Sequence, residues 1–401
     1  MKLTKLSEKT IKYLLKINEN KNTKSPLIDS ILKSFHKELI IAENHIKILL
    51  SSVKKEIKNI NNFKDISTLM HFSPKVIHNY IIENNRTLIS YNVALLNKNI
   101  TINFIVEEKE LNTLYKYENM LSMMLIWLKF VFSYTKNNSL NDLTINIALT
   151  DFKKKLPENK IGILDELNCN TGSTYACQEK TEIFIYRKEE WFKVFIHETF
   201  HSLCLDFSMM FTSNLNKKIK KIFPIDSKFN LYEAYSEFWA EIFNIMFCSF
   251  FIIETKKNYN ELKLYFDFFL YNEKIHTLLQ CVKILHFYNL SYEDLYKKDE
   301  ISELSRKQYR EKTNVFAYYF IKGILIFNAE KFIKWCDKIN INVLTFTKNE
   351  TNLNKFYSFI KNNYNDKKLT KTINNLHKKY NEINDDFILT NLRMSVSELD
   401  V

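Results

Sequence analysis

Trp191-Phe192-Lys193-Val194-Phe195-Ile196-His197-Glu198-Thr199-Phe200-His201 carries the motif HExxH at its C-terminal end. Residues four apart on a helix share a face. His197 and His201 can therefore present imidazole nitrogens to one metal ion, at about 2.0–2.1 Å each. Glu198 is rotated off the line joining them, toward the open side of the metal. There a carboxylate can take a proton from a water and later return it to a leaving amine. Val194, Phe195, Ile196, Phe200 and Leu203 surround the motif, which predicts a buried helix. The competing reading is a core helix whose two histidines are satisfied by ordinary packing partners.

Outward from this helix the pattern changes. Upstream, residues 181–186 (TEIFIY) read as a strand running into a helix that begins near Lys188, with Glu189 and Glu190 in its first turn, where the dipole favours anions. Residues 169–173 form a turn cluster, and residues 175–177 read as a short strand. Residues 143–150 (LTINIALT) are strand-like, and Pro157 and Gly162 mark the loop after them. Residues 87–96 and 100–107, broken at Asn97-Lys98-Asn99, read as a β-hairpin. Residues 109–135 have helical spacing, with Leu111, Leu114, Leu121, Leu125 and Leu128 on one face. Residues 1–83 read as helical. Ser25-Pro26 is a cap and first-turn pair, followed by Leu27, Ile31, Phe35, Leu39 and Ile40, with the pattern continuing to about Ile60. His36 and His45 there read as surface or packing residues. Downstream, residues 230–380 are nearly all helical, with loops near 255–260, 288–312 and 346–352, and a loose tail follows Tyr380. The expected division is 1–83, 84–210, 211–380 and 381–401, in an α+β, mainly helical chain.

Zinc hydrolysis needs a third protein ligand and one open position. Glu233, Glu237 and Glu241 recur at four-residue intervals in an apolar helix, so they share a face. Burying three acids there is costly unless they are paired or ligating. HExxH followed by Glu233-Ala234-Tyr235-Ser236-Glu237 resembles the gluzincins, the thermolysin-like metallopeptidases. The resemblance covers residues 197–201 and 233–237 and the strand–helix order before them, and it implies a zincin-like core. By it, Glu233 is the third ligand of one Zn2+, Glu237 orients a ligand histidine, and Glu198 is the general base. The family's substrate-binding edge strand has its best counterpart at residues 172–177. The HExxHxxGxxH pattern of metzincins fails, because Cys204 and Phe207 stand where Gly and His are needed. Asp206 is an alternative ligand, but five residues from His201 it falls off the histidine face. Tyr318, Tyr319, His276 and His286 are candidates for stabilising an oxyanion, each with core packing as the competing reading.

Composition bounds the rest. At 46% hydrophobic and 26% charged, the 401 residues can bury a large core. The net charge of +12 invites a nucleic-acid reading. The cations, however, are overwhelmingly Lys, which lacks the Arg fork for phosphate and base recognition. With Lys, Asn, Ile and Phe abundant and 3 Gly and 4 Pro, the skew is that of an AT-rich coding sequence, of the kind some viral and parasite genomes carry. No stretch is long and apolar enough for a transmembrane helix, and no signal peptide is evident. The six cysteines form no CxxC pair and read as reduced thiols in a cytoplasmic setting. The expected protein is a zinc peptidase acting on peptide or protein, with no specific nucleic acid. The rivals are an inactive zincin-fold scaffold and a basic nucleic-acid-associated helical protein.

Overall fold

A mixed sheet of six strands carries the site. In the computed structural model, which describes residues 1–17, 28–135, 140–159 and 161–401, the chain opens with β1 (Lys2–Leu3), α1 (Lys5–Ile17) and α2 (Asp29–Leu49). Next come β2 (Lys54–Asn59), α3 (Lys75–Asn84), β3 (Thr87–Leu95), β4 (Lys98–Val106) and α4 (Leu114–Val131). Then follow β5 (Asp142–Thr150), the single turn α5 (Glu166–Cys169), β6 (Gly172–Thr174), β7 (Lys180–Arg187) and α6 (Trp191–Ser202). The remainder is helical: α7 (Ser213–Ile222), α8 (Leu231–Ile252), α9 (Tyr259–Phe287), α10 (Glu300–Arg306), a π-helical run Phe316–Ile321, α11 (Lys322–Phe327), α12 (Ala329–Ile339), α13 (Glu350–Asn363), α14 (Lys367–Tyr380) and α15 (Asp386–Thr390). Strand β8 (Leu399–Asp400) returns to pair antiparallel with β1.

The strand order is β2-β3-β4-β5-β7-β6. The hairpin β3–β4 and the outer pairs β2–β3 and β6–β7 are antiparallel, while β4–β5 and β5–β7 are parallel. Side chains alternate between the two faces. On β7, Ile183 and Ile185 join the main core, and Phe184 and Tyr186 join a smaller cluster with Ile77 and Ile81 of α3. Helix α4 supplies the main face with Met124, Trp127 and Leu128. The Trp127 indole donates to Thr199 Oγ1 at 2.8 Å, which ties α4 to α6. Among the described helices none is long and apolar enough to cross a membrane.

Three sequence expectations change. The first 83 residues are not all helical: β2 (KKEIKN) is a strand, exposed at every residue. A charged edge strand buries no face, so it leaves no apolar alternation to read, and its lysines discourage further pairing. The short strand lies at Gly172–Thr174, and residues 175–177 are not strand. The stretch after Tyr380 is not a loose tail. Leu392, Arg393, Met394, Ser395 and Val396 are almost fully buried. The Glu273 carboxylate accepts from the Val396 and Ser397 amides at 3.0 Å, and Lys322 Nζ donates to Met394 O at 3.0 Å. The Ser25-Pro26 helix start lies outside the described residues.

Candidate metal centre

Strand β7 delivers the chain to α6 through a reversal at Glu190, whose φ is 61°. Glu189 and Glu190 do not sit in the helix's first turn as dipole partners. The Glu190 carboxylate pairs with Lys154 Nζ at 2.9 Å and accepts from the Met394 amide at 3.0 Å. Glu189 accepts from the Lys154 amide and from Asn391 Nδ2, both at 2.8 Å. Both acids fasten the buried C-terminal segment to the start of α6. Burial is countered at Glu190 by the Lys154, Lys193 and Arg393 cations, which hold its carboxyl at about 2.

All twelve residues of α6 are buried. The helix closes in a Schellman-type turn: Leu205 N donates to Phe200 O at 2.9 Å, and Cys204 takes the left-handed position at φ 57°. Cys204 is disulfide-bonded to Cys177, whose φ is also 57°, with their Cα atoms 4.9 Å apart. The expectation of six reduced thiols is thus corrected for this pair. The two reversals bring them within bonding range, and neither is visible in cysteine spacing. Cys169, Cys248, Cys281 and Cys336 are free and buried.

Helix α8 packs across α6 and brings its acids to the histidines. His197 Nε2 and His201 Nε2 lie 3.0 Å apart. Glu233 Oε2 is 3.2 Å from the first and 3.3 Å from the second. The three atoms form a compact triangle of buried groups able to hold a metal ion. Each imidazole is held from behind. His197 Nδ1 faces Glu237 Oε1 at 3.2 Å, and His201 Nδ1 hydrogen-bonds Asp206 Oδ2. Glu237 is itself paired with Lys193, one turn before His197 on α6. Asp206 is fixed by the Ser208 amide at 2.9 Å and the Ser236 hydroxyl at 3.1 Å.

The electrostatics follow from this crowding. Burial alone would lower both histidines. The Glu237 and Glu233 carboxylates raise His197 instead, and those of Asp206 and Glu233 raise His201 well above the ordinary value. Burial resists ionisation of Glu233, yet the two imidazoles hold it at about 2. Burial raises Glu198, against the pull of the His197 and His201 imidazoles. Four carboxylates (Glu198, Asp206, Glu233, Glu237) thus surround two imidazoles and Lys193. Such a pocket is costly to bury without further positive charge. Protons on the histidines can supply it, and so can a divalent cation.

The remaining candidates separate. Tyr318 reaches the site: its ring lies 6.1 Å from that of His197, and it lines a small pocket with His197, Glu198 and Glu237. Tyr319 is turned away, its hydroxyl donating to Leu392 O at 2.6 Å. His276 is engaged at Arg393 O, 3.1 Å away, and His286 packs on Tyr380 with ring centroids 4.5 Å apart. Glu241, the third acid of the stripe, pairs with Lys322. Sequence reasoning did not find Asp206 behind His201, Lys193 behind Glu237, or Met394 beside the site. Lys193 is one helical turn before His197, and that spacing could have signalled it.

Comparison with known proteins adds no relative. No protein-family model, no curated protein and no solved structure matches this chain.

Proposed function

We propose that the chain is a zinc-dependent peptidase with a zincin-like core of gluzincin type. The carrying observation is the triangle of His197 Nε2, His201 Nε2 and Glu233 Oε2, with edges of 3.0, 3.2 and 3.3 Å. Ligand atoms about 2.0–2.1 Å from a tetrahedral zinc stand roughly 3.3 Å apart. The donor set, two imidazoles and one carboxylate, suits zinc and leaves its fourth position open. The Glu237 and Asp206 contacts to the two Nδ1 atoms leave both Nε2 atoms for the metal and fix the ring planes. Bound zinc would supply a Lewis acid that polarises the scissile carbonyl and acidifies the attacking water.

Each other part of the reaction belongs to this chain. Glu198, buried and next to the first ligand, accepts the proton of the attacking water and returns it to the leaving amine. Tyr318, beside His197, is placed to donate to the developing oxyanion. Among the described residues, strand β6 pairs only with β7. Its outer edge can take an extended peptide by main-chain hydrogen bonds. Gly172 brings that strand close: a Cβ there would lie 3.3 Å from Glu198 Oε1. A reducing cytoplasm opens disulfides, so a cytoplasmic setting goes with the dithiol form of Cys177 and Cys204.

The test is hydrolysis of a peptide library by zinc-loaded protein and by Glu198→Gln. The expected result is cleavage that falls at least about a hundredfold in the variant while bound zinc stays at one ion per chain. Unchanged turnover in Glu198→Gln would remove the general base from this reading.

A further inference from the structure

Beside His197, Glu198 and Glu237 lies a pocket whose lining also includes Lys154, Thr171, Gly172, Val194, Tyr318 and Met394. Its volume is about 20 Å³, room for little more than one water-sized group. Two features define its chemistry. The first is its closure. Met394 comes from the C-terminal segment, far from α6 in sequence, and is 2% exposed. Its amide is bound to Glu190 Oε2 at 3.0 Å, and its sulfur lies 3.6 Å from Lys193 Nζ. With backbone and sulfur both engaged, Met394 does not swing aside freely. The second is an unsatisfied hydroxyl. Thr171 is 2% exposed, and its Oγ1 has no hydrogen-bond partner among the described residues. A buried hydroxyl left unpaired costs about 1–3 kcal/mol, and a ligand hydroxyl can repay that cost where a methyl cannot.

We propose that this pocket selects a small substrate side chain next to the scissile bond, serine above alanine and glycine, with Met394 setting the size limit and Thr171 the preference for a hydroxyl. The assignment rests on the hydrolase reading above. It names the substrate class of that site: peptides with a small, polar residue on the His197 side of the zinc. Leucine or phenylalanine would have to displace Met394 from its anchors on Glu190 and Lys193.

The experiment profiles cleavage by the zinc-loaded full chain across peptides varied one position at a time around the cut. At one position adjacent to the cut, serine is expected to exceed leucine by at least about tenfold in kcat/KM, within the 10–200-fold that a tight pocket gives for excess bulk. Met394→Ala should bring leucine to within about threefold of serine while zinc stoichiometry stays unchanged. Thr171→Val, which keeps the shape, should equalise serine and alanine and leave leucine excluded. Cleavage that tolerates leucine or phenylalanine at every position, or variants with unaltered profiles, would overturn the pocket assignment alone. A protein that holds one zinc yet cuts no member of the library would overturn the hydrolase reading, and this assignment with it.

Discussion

Asp206 hydrogen-bonds His201 Nδ1 although it lies five residues further along the chain. On a continuous helix that separation would point the carboxylate away from the histidine face. The left-handed Cys204 ends α6 and turns the chain back, so Asp206 meets the ring from behind rather than from the metal side. On the proposed zinc reading it supports a ligand and is not a ligand itself. Asp206→Asn keeps the shape and removes the charge. We expect zinc affinity to fall about 10- to 100-fold, read by competition with a chromophoric chelator. Unchanged affinity would mean that the contact does not orient His201.

Gly172 is the close approach that lets β6 lie against α6. A Cβ on it would meet Phe184 O and Val194 Cγ1, both at 3.0 Å. The backbone oxygen cannot rotate out of the way, so the strand has to move. For Gly172→Ala we expect a loss of about 1–3 kcal/mol in urea unfolding, with peptide cleavage weakened more than zinc binding. A variant as stable and active as the parent would show that β6 has room to spare.

Removing residues 391–401 should prevent folding rather than trim a tail. The segment satisfies Glu189, Glu190, Glu273 and Lys322, all buried. Without it Glu273 loses the amides that hold its carboxylate, at several kcal/mol, and Glu189, Glu190 and Lys322 each lose one of their buried partners. The expected outcome is insoluble protein or the absence of a cooperative thermal transition. A truncated chain that melts like the parent would contradict the structural role of the segment.

Glu311 gives a pH dependence of its own. Burial pushes its carboxyl up to about 7, although Ser227, the Phe316 amide and Tyr309 donate to it. Its folded pKa is above its unfolded value near 4.5, so the native state binds the extra proton between those two pH values. Its contribution is complete below about pH 4.5 and is lost as pH rises toward 7, amounting to no more than about 3 kcal/mol. Urea titrations from pH 5 to 8 should show a shallower fall in stability for Glu311→Gln than for the parent. Parallel curves would remove Glu311 as the cause.

What the sequence disclosed follows from what periodicity can carry. His197 and His201 stand one turn apart in one helix, and Glu233 and Glu237 one turn apart in another, so spacing alone put each pair on a shared face. The hairpin, α4, β5 and β7 were readable because each buries at least one apolar face. Strand β2 was not, because all six of its residues are exposed. The C-terminal segment was not, because its burial is justified by Glu190, Glu273 and Lys322, partners more than 70 residues away. Tyr318 and Tyr319 are neighbours in sequence, and only packing decides that one faces His197 and the other Leu392. Asp206 and the Cys177–Cys204 pair both depend on a left-handed residue at the end of α6, for which no glycine gave a sign.

The most direct measurement is a crystal structure of the purified full chain with anomalous data collected on both sides of the zinc absorption edge. The expected result is one peak present only above the edge, about 2.0–2.1 Å from His197 Nε2, His201 Nε2 and a Glu233 carboxylate oxygen. Purified protein that takes up no zinc, with the His197 and His201 rings bonded to Glu233 through protons alone, would contradict the account.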